Sequence, residues 1–154
     1  MLQEPITIID SPLSEDIKLS AMKACDSAFT KSVINRIEFK ELFRKINTNA
    51  EFFIAVKAEE PVGYAAMYAN NDKTKEAFIT LLGVKHGHHG EHIGTRLMNC
   101  CLNTAKNKGM KTVRLEVLDV DKGAQAFYIK QGFFADGRCS SESIFMKKEL
   151  VWSR

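Results

Sequence analysis

The stretch from Ile79 to Ala105 constrains the chain most. Ile79 to Val84 is an apolar run of strand length. A loop carrying Gly87, Gly90 and Gly94 follows it. An amphipathic helix comes next, with Ile93, Leu97, Cys101 and Ala105 recurring at i, i+4 and Met98 and Leu102 beside them. A strand, a glycine-rich turn and a helix N-terminus together form an anion-binding arrangement. Glycine lets the backbone turn its N–H groups inward with no Cβ in the way, and the positive end of the helix dipole adds to the attraction. The dinucleotide pattern G-x-G-x-x-G does not fit, because these glycines are spaced G-x-x-G-x-x-x-G. The nucleoside-triphosphate pattern ending in Gly-Lys-Ser/Thr fails too, since the chain has Gly94-Thr95-Arg96.

The rest of the chain reads as one mixed α/β domain over residues 1–154, a length that allows a sizeable core. Ile6 to Ile9 is a short strand. Ser14, after Pro12, opens a helix that runs to about Phe29. Phe39, Leu42, Phe43 and Ile46 mark a second helix, which Asn47-Thr48-Asn49 ends. Phe52 to Val56 and Val62 to Tyr68 form a hairpin across Ala58 to Pro61, and a strand from Ala77 to Val84 follows. Gly109 stops the central helix. Thr112 to Leu118 is a strand, Ala124 to Gln131 a short helix, Phe133 to Ala135 a strand, and Ser143 to Leu150 a closing strand. Strict alternation puts Val62, Tyr64, Ala66 and Tyr68 on one strand face, where the tyrosines could line a groove.

Several function classes fall away on composition. A net charge of +3 suits an anionic small ligand but is too small to argue for nucleic acid, and no basic run exceeds Lys147-Lys148. No apolar stretch is long enough for a membrane span, and the N-terminus has no signal-peptide pattern. Cys25, Cys100, Cys101 and Cys139 lack metal-ligand spacing and read as reduced thiols of a cytoplasmic protein. All four histidines, His86, His88, His89 and His92, fall in the glycine loop. Imidazoles are common metal ligands, but no carboxylate or cysteine stands at ligand spacing beside them, so no metal is expected.

Two segments carry a family resemblance. The loop resembles the acetyl-CoA loop Q/R-x-x-G-x-G/A of the GNAT superfamily of N-acyltransferases, with His89 at the Gln/Arg place, His92 at the middle glycine and Gly94 at the last position. Leu115 to Phe133 resembles that family's L-x-V-x-x-x-N-x-x-A-x-x-x-Y-x-x-x-G-F. Leu115, Val117, Ala124, Tyr128, Gly132 and Phe133 match in register, and Asp121 stands at the Asn place. The order of elements is also that of the family.

The resemblance implies a mostly antiparallel mixed sheet whose central parallel strands splay apart, flanked by helices. It implies acetyl-CoA as acyl donor and transfer to a primary amine. The backbone of Leu82 and Val84 would pair with pantetheine. His89, Gly90, His92, Ile93, Gly94 and Thr95 would hold the pyrophosphate, with Asp121 and Lys130 as further cofactor contacts. Tyr128 would be the general acid toward the CoA sulfur: an ordinary phenol pKa of about 10 keeps it protonated at neutral pH. Glu76, Glu116 and Asp119 lie on or near the flanking strands, and none of the three stands out as a base. A non-catalytic CoA-binding regulatory module and a nucleotide-binding domain without CoA specificity fit the same residues. The acceptor is open among small amines, amino sugars and peptide amines, and the tail at Trp152 suggests a homodimer contact.

Overall fold

A computed structural model of the chain describes residues 4–150. The tail bearing Trp152 lies outside the described residues. The fold is α/β, built on a seven-stranded sheet. In chain order the elements are β1 (Ile6–Ile9), α1 (Glu15–Ala24), a single 3-10 turn (Asp26–Ala28), α2 (Phe39–Asn49), β2 (Glu51–Lys57), β3 (Glu60–Tyr68), β4 (Glu76–Val84), α3 (Ile93–Asn107), β5 (Thr112–Leu118), α4 (Lys122–Lys130), β6 (Phe134–Arg138) and β7 (Ser143–Glu149). The sheet order is β1-β2-β3-β4-β5-β7-β6. β4 and β5 run parallel, with α3 as the crossover between them, and the other described neighbours are antiparallel. Among the described residues no helix is long and apolar enough to cross a membrane.

Local chemistry accounts for the element ends. Ser14 Oγ accepts from the Ile17 amide at 3.2 Å, and Glu15 and Asp16 sit in the first turn of α1, where the dipole favours anions. The hairpin between β2 and β3 turns on Ala58 and Glu59 alone, both at positive φ (49° and 65°). That twist is the one a two-residue hairpin requires, although the sequence lacks the usual Asn-Gly signature. The strands therefore run longer than the periodicity suggests, and Pro61 lies inside β3.

The sheet is covered on both faces. α3 buries Ile93, Leu97, Met98, Cys101 and Ala105 against Ala65, Met67, Ile79, Val113 and Leu115. On the other face α1 and α2 bury Ala21, Met22, Phe43 and Ile46 against Phe52, Ile54, Tyr64 and Leu81. Each large apolar side chain so buried contributes roughly 1.5–3 kcal/mol. Phe52 to Ala55 are all buried, because β2 lies between both layers, and this explains its unbroken apolar run.

Two β-bulges set which residues face which layer. Ala55 pairs with Gly63 but Val56 pairs with Pro61, so Val62 is the extra residue. Val62 consequently joins the α3 side with Ala65 and Met67, while Tyr64 and Ala66 pack on the α1 side. The single-face reading of Val62, Tyr64, Ala66 and Tyr68 is thus corrected at its first member. The second bulge is at Thr80: Met67 pairs with Ile79 and Ala66 with Leu81. Across it the α3-facing set shifts from Ala77 and Ile79 to Leu82 and Val84.

Candidate active site

The Thr80 bulge coincides with the end of β4–β5 pairing, whose last pair is Ile79 with Leu115. Beyond it, Thr80–Val84 and Glu116–Leu118 no longer pair with each other, and a cleft of about 700 Å³ opens between them. The direction of the free backbone groups follows from one hydrogen bond. The Lys85 amide donates to the Val62 carbonyl of β3 at 2.8 Å. By strand alternation Gly83 also faces β3, and the N–H and C=O groups of Leu82 and Val84 face the gap. An extended ligand with amides of its own can pair there.

The loop after β4 forms one end of the cleft. Gly87 and Gly90 take φ of 93° and 89°, which glycine adopts without penalty. The His86 amide donates to Ser27 Oγ at 3.1 Å. Glu91 is held by Lys57 from β2 and by His88, whose Nδ1 lies 3.0 Å from Glu91 Oε2. The Lys57 interaction, first, together with that of His88, outweighs burial and keeps the Glu91 carboxyl below its ordinary range. This three-residue clamp joins the loop to the sheet and went unseen in the sequence, where Lys57 and Glu91 are 34 residues apart.

His92 caps α3 in the left-handed conformation (φ 61°, ψ 20°) and its side chain makes no capping bond. That backbone region costs a non-glycine residue roughly 1–2 kcal/mol, which explains the glycine usual at this place in the resembling pattern. The amides of Ile93, Gly94 and Thr95 have no intrahelical acceptor, and the first turn of α3 has no acidic residue. His89, Gly90, His92, Ile93, Gly94 and Thr95 all line the cleft, and the dipole of α3 points its positive end there.

The other wall comes from β5 and α4. Asp121 lines the cleft and caps α4, its Oδ1 accepting from the Ala124 amide at 3.2 Å. One face of α4 presents Phe127 and Tyr128 to the cleft. The Tyr128 ring packs against Phe127 and Phe133 at centroid distances of 5.5 and 5.8 Å. Burial, then the nearby Asp121 and Cys101, push its hydroxyl far above the usual phenol range, so it is protonated at any physiological pH. Lys130, expected as a cofactor contact, is exposed and absent from the cleft wall. Two residues beyond Tyr128 is about 200° around the helix, so the two side chains cannot share a face.

The three flanking carboxylates separate clearly. Glu76 starts β4, in the paired half, and takes a 3.4 Å hydrogen bond from Thr112 Oγ1. Asp119 is paired with Arg138. Glu116 lines the cleft, and its Oε2 accepts from the buried Ser143 Oγ at 2.6 Å. Tyr64 and Tyr68, which could have lined the groove or been ordinary half-core tyrosines, are not in the wall. Tyr64 is fully buried, stacked on Phe52 at 5.5 Å. The place is taken by Phe29, which packs on Tyr64 at 5.8 Å and on Gly83. A Cβ at Gly83 would lie 2.6 Å from the Ala28 Cβ, so only glycine lets this segment seat on β4. Among the described residues no group of three His, Cys, Asp or Glu side chains is placed to hold a metal ion.

The sequence profile of the Acetyltransferase (GNAT) family matches residues 20–133, nearly three quarters of the chain, and spans both walls of the cleft. The chain belongs to the GNAT acetyltransferase family. It is 35% identical over 86 residues to an N-acetyltransferase of Methanocaldococcus jannaschii, a match covering 53% of this chain and 38% of that relative. This GNAT chain thus matches less than half the length of that relative. Among solved structures, an acetyltransferase of Staphylococcus aureus superposes with a TM-score of 0.79 at 18% identity, over 96% of this chain and 100% of that one. The PaiA N-acetyltransferase of Thermoplasma acidophilum, solved with coenzyme A, superposes at 0.75 and 18% identity, over 94% and 99%. These likenesses establish the fold.

Proposed function

We propose that this GNAT protein transfers an acetyl group from acetyl-CoA to a primary amine by direct attack in a ternary complex. The observation that carries the reading is the joining of two features in one cleft: open backbone edges at Leu82 and Val84, and uncapped amides at the start of α3. A ligand with an amide-bearing arm and a pyrophosphate matches both. The chain's own groups fit the cofactor, since the edge offers alternating donors and acceptors and the loop offers N–H groups with a favourable dipole.

When bound, acetyl-CoA supplies the thioester carbonyl that the amine attacks. The new bond is C–N and the bond that breaks is C–S. The Leu82 amide, facing the gap, donates to the carbonyl oxygen as negative charge develops on it. Glu116 receives the acceptor's ammonium group and takes its proton, with Ser143 fixing the carboxylate. Tyr128 protonates the departing sulfur and is reprotonated from solvent, to which the nitrogen sheds its second proton as the amide forms. The raised pKa of Tyr128 keeps the hydroxyl protonated before the reaction. Asp121, committed to capping α4, takes no proton-transfer role. His89 and His92, which line the cleft, offer N–H donors to the pyrophosphate on this reading.

Release of free CoA thiol from acetyl-CoA, followed across a panel of primary amines, tests this. Amine-dependent release that falls in Tyr128→Phe supports the assignment. Binding of acetyl-CoA with no amine-dependent release contradicts it and leaves a regulatory CoA-binding module.

A further inference from the structure

Taking the acetyl-transfer reading of the cleft as its basis, we infer that the acceptor is an amine that also carries an oxyanion group, a carboxylate or a phosphate, held by Arg36. The loop between the 3-10 turn and α2 forms part of the cleft wall and contributes Lys31 and Arg36 to it. This loop is rigidly built. Asp26 Oδ1 accepts from the Val33 and Ile34 amides at 2.8 and 3.2 Å, and its Oδ2 accepts from Ser32 Oγ at 2.6 Å. Ser32 Oγ in turn accepts from the Asn35 amide at 3.2 Å, and Val33 is fully buried. The Arg36 amide donates to the Val33 carbonyl at 3.2 Å, and the Arg36 carbonyl accepts from the Phe39 amide at 3.0 Å.

The root of Arg36 is therefore fixed on both sides while its side chain is exposed. Among the described residues its guanidinium takes part in no ion pair, whereas Lys31 is tied to Glu142 at 2.7 Å. The charge that acts on Arg36, Asp26, already has both oxygens occupied within the loop. A guanidinium anchored at its base, unpaired at its head and set in a cleft wall is suited to bidentate capture of an oxyanion. Glu116 on β5 supplies the opposite pole of the same cleft. An acceptor carrying both charges satisfies both poles: its amine goes toward Glu116 and its anion toward Arg36. A neutral amine leaves Arg36 to water, and an acceptor with a second cation meets repulsion.

The test uses the whole chain with acetyl-CoA and matched amines. Tyrosine against tyramine and tyrosine amide isolates the carboxylate, and phosphoethanolamine against ethanolamine isolates the phosphate. The expected result is a kcat/KM for the anionic member of one set roughly 10- to 100-fold above its neutral partner, the worth of one charged hydrogen-bonded contact. Arg36→Gln should remove that ratio, mainly through KM, Arg36→Lys should keep part of it, and Arg36→Glu should invert it. A role confined to folding would lower both members of each pair and leave the ratio standing. Turnover with ratios near one in the wild type, or a ratio that survives Arg36→Gln, overturns the inference while leaving acetyl transfer intact. Failure of calorimetry to detect acetyl-CoA binding overturns the acetyl-transfer reading itself.

Discussion

Two helices begin at the same cleft, and they begin differently. α4 starts at Asp121, whose carboxylate occupies the Ala124 amide. α3 starts at His92, in a left-handed conformation and with no side-chain cap, so its first amides stay free. A helix N-terminus can either satisfy itself or bind an anion from outside, because the same N–H groups serve both ends. On the proposed reading, the capped helix positions Tyr128 and the uncapped one is left to receive phosphate. Departures from the usual family residues fall on both caps: Asp121 keeps the function of a cap, and His92 keeps the backbone shape of a glycine.

Mutations at these two helices can break or sharpen the contrast. The largest effect is expected on the capped side, at its working residue. Tyr128→Phe should lower kcat by about 10²–10⁴, the range for a lost proton donor, with acetyl-CoA affinity little changed in calorimetry. If kcat holds, Tyr128 is only a packing residue among Phe127 and Phe133. In the wild type, burial of Tyr128 keeps the acid form present, so the rate should show no loss from phenol ionisation below about pH 10, its ordinary pKa. A falling limb near neutrality that disappears in Tyr128→Phe would mean that Tyr128 ionises there and would contradict its raised pKa.

Gly94→Ala should divide binding from stability on the uncapped side. A Cβ there meets the Phe127 ring at 3.4 Å and Val84 Cγ2 at 3.7 Å, ordinary contacts within the protein. The substitution should therefore raise unfolding free energy by about 0.5–1 kcal/mol, as alanine does for glycine in a helix. It should leave acetyl-CoA affinity within about threefold, because the resembling loop pattern takes alanine as well as glycine at this last position. A loss of about tenfold or more would mean that the ligand approaches these amides more closely than the pattern requires.

Much of this was legible from residue order. The spacing of Leu115, Val117, Ala124, Tyr128, Gly132 and Phe133 carried the second motif, and the repeat from Ile93 to Ala105 carried α3. What the sequence hid is what depends on register. The bulges at Val62 and Thr80 are single-residue events with no marker of their own, yet the first moves Val62 off the tyrosine face and the second coincides with the end of β4–β5 pairing. The clamp of Lys57, Glu91 and His88 joins β2 to a loop through side chains that look like ordinary surface charge. Tyr64 reads as amphipathic, but here it is a core ring, and Phe29 supplies the wall instead. Lys130 follows the motif in sequence but leaves the cleft by helix geometry.

Smaller effects test the caps themselves. Asp121→Ala should cost about 1 kcal/mol of unfolding free energy through the lost bond to the Ala124 amide, read by denaturant titration. His92→Gly should gain about 1 kcal/mol by relieving the left-handed strain, seen as a midpoint roughly 2–4 °C higher in thermal unfolding. No gain would mean that the imidazole makes compensating contacts.

The central claim is that the uncapped start of α3 and the open edge of β4 form an acetyl-CoA site in spite of the loop histidines. Calorimetric titration of the wild-type chain with acetyl-CoA, beside ATP and NAD, tests it most directly. Saturable micromolar binding of acetyl-CoA, with no comparable heat from ATP or NAD, is the predicted result. No binding of acetyl-CoA, or equal binding of all three, would contradict it.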